Sequence, residues 1–65
     1  MELKERIKQL REDNNKTQKE VAFSLGIKEQ AYQRYEYGTS IPKIDIIIKL
    51  SNLYNVTTDY ILKGK

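Results

Sequence analysis

Hydrophobic residues along this chain recur with helical spacing, and short polar segments separate one such stretch from the next. Near the amino terminus they are Leu3, Ile7 and Leu10, which stand at i, i+4 and i+7. Charged and amide side chains lie between them. This spacing predicts an amphipathic helix from Glu2 to about Asn14. We expect Asn14 and Asn15 to end it, because asparagine tolerates the left-handed backbone that a helix C-terminus often needs.

A second helix is predicted to begin after Thr17 and to end at Gly26. Thr17 and Glu20 have the spacing of a capping box, in which each side chain binds a free backbone N–H at the helix start. Gly26 supplies the permissive backbone of a sharp turn after barely two helical turns. The apolar stripe consists of Val21, Ala22 and Leu25. Phe23 falls outside it; we expect it to cover the edge of the core, the alternative being an exposed contact for another molecule.

The third predicted helix runs from about Lys28 to Tyr37 and has two contrasting faces. At about 100° per residue, one arc collects the side chains that we expect to face the core: Ala31, Tyr32 and Tyr35. The opposite arc carries groups that can donate and accept hydrogen bonds: Glu29, Gln30, Gln33, Arg34 and Tyr37. Such a face is either simply solvated or a contact surface.

Gly38 ends this helix, and a loop containing Pro42 leads to a fourth helix from about Lys43 to Tyr54. The fourth helix has a broad apolar arc, formed by Ile44, Ile47, Ile48, Ser51 and Tyr54. A second stripe lies almost opposite: Ile46, Leu50 and Leu53. Such a helix must be covered on two sides. A last helix, capped by Thr57 and carrying Tyr60, Ile61 and Leu62, is predicted to fold back over it, with residues 63–65 frayed.

The five predicted helices within 65 residues indicate a single small all-α domain, a compact bundle of five short helices over residues 1–65. A chain of 65 residues buries only about 60% of its unfolded surface, which disfavours a large internal cavity. It has no cysteine or histidine, which removes thiolate ligands, the commonest zinc ligand and the commonest general base. We therefore expect no enzyme activity, no cofactor, no metal and no small-molecule ligand.

No apolar run approaches the roughly 18 residues that span a bilayer, and the charged amino terminus does not resemble a signal peptide. These features predict a cytoplasmic protein with no membrane partner. Twelve Lys and Arg residues against 9 Asp and Glu give a net charge of +3. This mild excess is compatible with a polyanionic partner but is common among soluble domains, so the placement of the charges matters more than their sum.

Four sequence fragments, in order and at fixed spacings, resemble the phage repressor and Cro-type (XRE-like) helix-turn-helix regulators. The fragments are TQKEVA at 17–22, LGI at 25–27, YEYG at 35–38, and Pro42 with the tail LSNLYNVTTDYIL at 50–62. The resemblance covers nearly the whole chain. It implies a lambda repressor-like, five-helix DNA-binding fold with its helix-turn-helix core at about 17–37, in a bacterial or phage-encoded, nucleoid-associated protein.

The resemblance also assigns roles residue by residue. The positions from which family members read bases or flanking phosphates hold Glu29, Gln30, Gln33 and Arg34, the same residues that the helical wheel turns outward. Gln18 matches the family's phosphate-contacting glutamine, although it could instead merely extend the cap. Further expected backbone contacts are Lys16, Lys19, Lys28, Lys43, Thr39 and Ser40. Arg11 and Glu36 match a structural ion pair.

Departures from the family pattern affect packing and not the fold: Lys16 replaces a usual apolar residue, Asn15 a frequent glycine, and Tyr32 a smaller aliphatic.

These features predict a sequence-specific, double-stranded DNA-binding transcriptional regulator, repressor-like, with its third helix in the major groove. A homodimer on DNA is expected, because one recognition helix touches few bases. A possible dimer face is the second stripe of the fourth helix, Ile46, Leu50 and Leu53, unless neighbouring helices cover it. The alternative function is a protein-interaction module, such as an antitoxin or adaptor, which an exposed Phe23 or an uncovered fourth helix would favour.

Overall fold

The structure is a computed structural model that describes residues 1–65, and it contains five α-helices and no strand. The helices are α1 (Leu3–Asp13), α2 (Gln18–Leu25), α3 (Glu29–Tyr37), α4 (Ile44–Tyr54) and α5 (Thr58–Lys63). The predicted all-α, five-helix fold is confirmed. Most predicted bounds differ by one residue, and Lys63, which was expected to fray, is the last residue of α5.

The core lies where α1 and α2 pack against α3, while α5 joins α1 to α4 and α2 contacts α4. Eleven buried hydrophobic residues form it, with at least one from each helix. Tyr32 is fully buried, and Tyr35 packs against the cluster from a partly exposed position. The core-facing arc predicted for α3 therefore holds this helix against the rest of the bundle.

Local signals in the sequence produce the predicted helix ends. The capping box of α2 is present: the Glu20 amide donates to the Thr17 hydroxyl at 3.1 Å, and the Thr17 amide donates to the Glu20 carboxylate at 2.8 Å. Gly26 ends α2 at φ 72°, a left-handed conformation that costs other residues steric strain. Asn15 adopts φ 55° after α1, the tolerance expected of asparagine. Both ends of α2 are thus fixed by local chemistry.

Phe23 does not cover the core: its side chain is 86% exposed, so that prediction was wrong. Val21, Ala22 and Leu25 bury the inner side of α2. At about 100° per residue, Phe23 lies about 150° from the centre of that arc. It therefore points to solvent.

The dimer face predicted on α4 is also wrong as an exposed surface. Ile46 and Leu50 are 6% and 1% exposed, and Leu53 is partly buried against the core. Because α4 contacts both α2 and α5, one continuous arc takes members of both predicted stripes inward. Ile44 and Ile48, one turn apart at the edge of that arc, remain 64% and 48% exposed.

None of the five helices has the length and hydrophobicity that crossing a bilayer requires.

Candidate nucleic-acid interface

The outward face of α3 combines exposed and half-buried polar groups. Gln30 and Arg34 are exposed, whereas Glu29 and Gln33 are half-buried beside α2. Tyr37, at the end of the helix, is 64% exposed. Because Tyr32 and Glu36 occupy the buried side of the same helix, Gln30 and Arg34 are held outward by core packing.

A concave surface lies between α1, the start of α2 and α3. It is lined by Lys8, Arg11, Lys16, Thr17, Gln18, Lys19, Glu29, Glu36 and Tyr37. Three of the predicted DNA-backbone residues, Lys16, Gln18 and Lys19, are brought together here. Lys8 was not predicted, yet it stands three residues before Arg11 on α1, a spacing that places both on one helix face. This surface concentrates basic groups beside α3.

The other predicted backbone residues lie outside this concave surface. Lys28 and Lys43 are the N-cap residues of α3 and α4, and neither side chain forms a cap hydrogen bond. The amides of Thr39 and Ser40 donate to the carbonyl of Arg34, at 3.1 and 3.3 Å, in the turn that follows α3. The structure thus distributes these four residues over two helix starts and one loop.

Arg11 and Glu36 form a largely buried ion pair that joins α1 to α3. Nε of Arg11 lies 2.7 Å from Oε2 of Glu36, and Nη2 lies 3.1 Å from Oε1. The two side chains are 14% and 2% exposed. The hydroxyl of Tyr32 donates to the same Oε2 atom, and Nη1 of Arg11 donates to the carbonyl of Lys16 at 3.0 Å. The pair therefore fixes the end of α1 against α3.

The environment of this pair keeps Glu36 charged and the nearby tyrosines neutral. Burial opposes the charge of Glu36, but hydrogen bonds from Arg11, Tyr32 and Gln18 outweigh it and lower the pKa of the carboxyl. Burial, reinforced by the bond to Glu36, raises the pKa of Tyr32. Burial also raises the pKa of Tyr54 to about 12. At neutral pH the site therefore holds a carboxylate among neutral donors and one guanidinium.

Gln18 links this buried pair to the outward face of α3. Its Nε2 donates to Oε1 of Glu36 at 3.1 Å, and its Oε1 accepts from Nε2 of Gln33 at 3.2 Å. The same Gln33 nitrogen lies 3.5 Å from Oε2 of Glu29. Sequence analysis missed this chain of contacts, because its members come from two helices and face one another only after α2 packs on α3.

A second buried arginine, Arg6, was also missed. It is 8% exposed, and its guanidinium donates to the carbonyl of Ile61 at 2.8 Å and to that of Met1 at 2.6 Å. Arg6 stands three residues after Leu3 and four before Leu10, so helical spacing alone places it on the apolar side of α1. That spacing could have predicted its burial.

Known proteins similar to this chain include several HTH-type transcriptional regulators. The SPbeta prophage-derived regulator YonR of Bacillus subtilis is 42% identical over 60 residues, which cover 92% of this chain and 56% of YonR. The regulator ImmR of the same organism is 45% identical over 62 residues, covering 95% of this chain and 49% of ImmR. The chain spans about half the length of these relatives.

The fold is also similar to that of the P22 c2 repressor, solved in complex with a synthetic operator. The two superpose with a TM-score of 0.92 at 25% sequence identity, over 100% of this chain and 98% of the repressor chain. A helix-turn-helix family model matches residues 7–61. The resemblance drawn from the sequence fragments is therefore confirmed: this chain belongs to the helix-turn-helix family whose members include the phage repressors.

Proposed function

We propose that this chain binds double-stranded DNA sequence-specifically, as the DNA-binding unit of a repressor-like transcriptional regulator, with α3 in the major groove. The observation that supports this most directly is the match, over the whole chain, to a repressor solved on operator DNA. Gln30 and Arg34 are exposed on α3, the helix that enters the groove in the helix-turn-helix arrangement.

The side chains of α3 suit particular base edges. Gln30 can form a bidentate pair with adenine, and Arg34 can bind O6 and N7 of guanine or hold a phosphate. Glu29 can only accept, so it suits the amino group of cytosine and repels nearby phosphates. That repulsion penalises wrong sites and favours a specific binder over a general DNA coat.

The concave surface supplies contacts to the DNA backbone in this proposal. Its lysines, Lys8, Lys16 and Lys19, flank Gln18 at the start of α2, where the helix dipole favours an anion. Lys28 and Lys43 stand at the starts of α3 and α4, and Thr39 and Ser40 add hydroxyls after α3. These groups would fix the register of α3 without reading sequence.

Selection of bound duplexes from a random pool tests the proposal. The wild-type chain is expected to enrich one motif, and Gln30→Ala with Arg34→Ala is expected to abolish or alter it, because each bidentate pair with a base contributes about 1–3 kcal/mol of discrimination. The pair Asn52→Ala and Lys63→Ala is the matched control, since both residues are exposed on other helices and one is cationic. A motif unaffected by the α3 substitutions would refute the assigned reading residues.

We also propose that the chain acts on DNA as a homodimer, with two half-sites about 34 Å apart. Ile46 and Leu50 are buried within the chain, but Ile44 and Ile48 on α4 are exposed and could form an apolar contact between the two copies. Sedimentation at micromolar concentration, with selected operator DNA, is expected to give two chains per duplex. One chain per full operator would refute the dimer.

A second candidate function, a protein-interaction module on the same fold, is favoured by one observation. Phe23 is 86% exposed, beside Lys16, Lys19 and Glu20 on the outer side of α2. Binding to random genomic duplexes at two salt concentrations separates the two functions. DNA affinity is expected to fall steeply with salt, because phosphate contacts release counterions, whereas an apolar protein interface is less sensitive.

A further inference from the structure

The buried carboxylate of Glu36 has acceptor atoms only, and the surrounding donors occupy both of its oxygens. Oε2 accepts from Nε of Arg11 and from the Tyr32 hydroxyl, and Oε1 accepts from Nη2 of Arg11 and Nε2 of Gln18. Because a carboxylate cannot donate, Gln18 must turn its NH₂ group, and not its carbonyl, toward Glu36. The orientation of the Gln18 amide is therefore set by a charge beneath it.

This orientation determines that of the next glutamine. With its NH₂ turned inward, Gln18 faces Gln33 with its carbonyl oxygen, which can only accept, and Nε2 of Gln33 lies 3.2 Å away. Oε2 of Glu29, a further acceptor, lies on the same side of Gln33 at 3.5 Å. Both neighbours hold the Gln33 NH₂ group toward the protein. Its carbonyl oxygen is left as the atom that faces a ligand.

We propose that Glu36, acting through Gln18, is a positioning residue that fixes Gln33 to present a hydrogen-bond acceptor to DNA. The proposal rests on the proposed function and specifies part of its sequence preference. Gln33 would then accept from a base amino group, N6 of adenine or N4 of cytosine, and could not donate to guanine or thymine. It also would not form the bidentate adenine pair available to a freely turning glutamine.

The substitution Glu36→Gln reverses this arrangement. The new amide oxygen takes the place of Oε2, where it accepts from Nε of Arg11 and the Tyr32 hydroxyl. The new NH₂ group then takes the place of Oε1, where it loses the bond from Nη2 of Arg11 and faces Gln18. Gln18 then turns its carbonyl inward and its NH₂ toward Gln33. The bond to Gln18 at 3.2 Å is shorter than the contact to Glu29 at 3.5 Å, so Gln33 follows Gln18 and exposes its own NH₂. This donor suits O6 or N7 of guanine, O4 of thymine and N7 of adenine, but not cytosine.

Selection from a random duplex pool with three variants tests this reversal. Gln33→Ala first identifies which motif position depends on Gln33. At that position, wild type is expected to reject guanine and thymine, whereas Glu36→Gln is expected to accept both and to reject cytosine, each by about tenfold, with the rest of the motif retained. Tyr32→Phe is the matched control. It removes another hydrogen bond to Glu36 but keeps the carboxylate, so the motif is expected to stay unchanged.

The possible outcomes are distinguishable. A Glu36→Gln chain that selects the wild-type motif with uniformly weaker affinity would leave Glu36 a merely structural role and overturn the proposal. A wild-type chain that selects no motif would instead overturn the proposed function, and this proposal with it.

If circular dichroism shows Glu36→Gln to be unfolded, Gln18→Met tests the same link with the Arg11 ion pair intact. Only the longer contact to Glu29 then orients Gln33, so its rejection of guanine and thymine is expected to weaken. An unchanged preference there would overturn the proposal.

Discussion

Helix α1 buries an arginine near each end, and the two differ in their partners. Arg11 binds the carboxylate of Glu36 on α3, within a cluster that reaches the candidate interface through Gln18. Arg6 binds only main-chain carbonyls, those of Met1 and of Ile61 in the last turn of α5. Carbonyls in the last turn of a helix lack intrahelical partners and carry the negative end of the dipole, so they suit a cation without a counterion.

The two arginines therefore differ in what their contacts can affect beyond the stability of the fold. A carbonyl does not titrate, and the bonds of Arg6 hold α5 and the start of the chain against α1. The Arg11 end depends on a carboxylate that can be protonated and whose Oε1 atom, bound by Arg11, also accepts from Gln18. The same residue type on one helix thus stabilises the fold at one end and connects the fold to the proposed binding face at the other. The predictions that follow test this contrast.

The largest effect is expected from Arg11→Ala. Removing one partner of a buried ion pair leaves Glu36 uncompensated and is expected to lower the free energy of unfolding by about 3–5 kcal/mol, a large share of the stability of a domain this small. Urea titration measures the change. The matched double variant, Arg11→Met with Glu36→Leu, removes both charges and is expected to lose only about 1–3 kcal/mol, because the buried Tyr32 hydroxyl loses its acceptor but no charge is left uncompensated. An Arg11→Ala chain as stable as wild type would contradict the assigned role.

Acid is expected to weaken the same end selectively. The pKa of Glu36 in the folded state lies below its ordinary value of 4.5, so its contribution to stability is fully present above pH 4.5 and is lost as the pH falls through the lowered pKa. The free energy of unfolding, measured from pH 7 to pH 3, is expected to fall more for wild type than for the Arg11→Met, Glu36→Leu variant, so that the difference between the two chains narrows. A difference between the two that is constant over this range would contradict the sign of the shift.

A smaller loss is expected from Arg6→Ala. Two hydrogen bonds from a charged donor to carbonyls disappear, but no buried anion is left behind, so the expected cost is about 2 kcal/mol. The motif selected from random DNA is expected to be unchanged, in contrast to changes around Glu36. An altered motif would show that the two ends of α1 are not separate in function.

The smallest effects are expected from the N-cap residues of α2 and α5. Thr17→Ala and Thr57→Ala each remove a hydroxyl that accepts from a first-turn amide, and each is expected to cost about 1 kcal/mol. Only Thr17 precedes Gln18, so only its loss is expected to weaken binding to the selected operator. Equal operator affinities for the two variants, measured by titration at one salt concentration, would break this distinction.

Features confined to a few consecutive residues were determined by the sequence itself. Periodicity predicted five helices, and Thr17, Gly26 and Asn15 predicted where they begin and end, since capping and left-handed turns depend on the residue and its immediate neighbours. The outward positions of Gln30 and Arg34 followed from helical geometry once Tyr32 was assigned to the core. The family resemblance then added the Arg11 and Glu36 pair, which no local pattern contains.

Only the tertiary structure decided which side chains meet across helices. The buried arc of α4 takes residues from both predicted stripes because α2 and α5 cover it, so Ile46 is buried while Ile48 is half-exposed. Phe23 stays exposed because no helix packs over that side of α2. The contact between Gln18 and Glu36 joins residues 18 positions apart. Helical period fixes the direction of a side chain from its own axis, but its partner depends on how the helices pack, which no local pattern encodes.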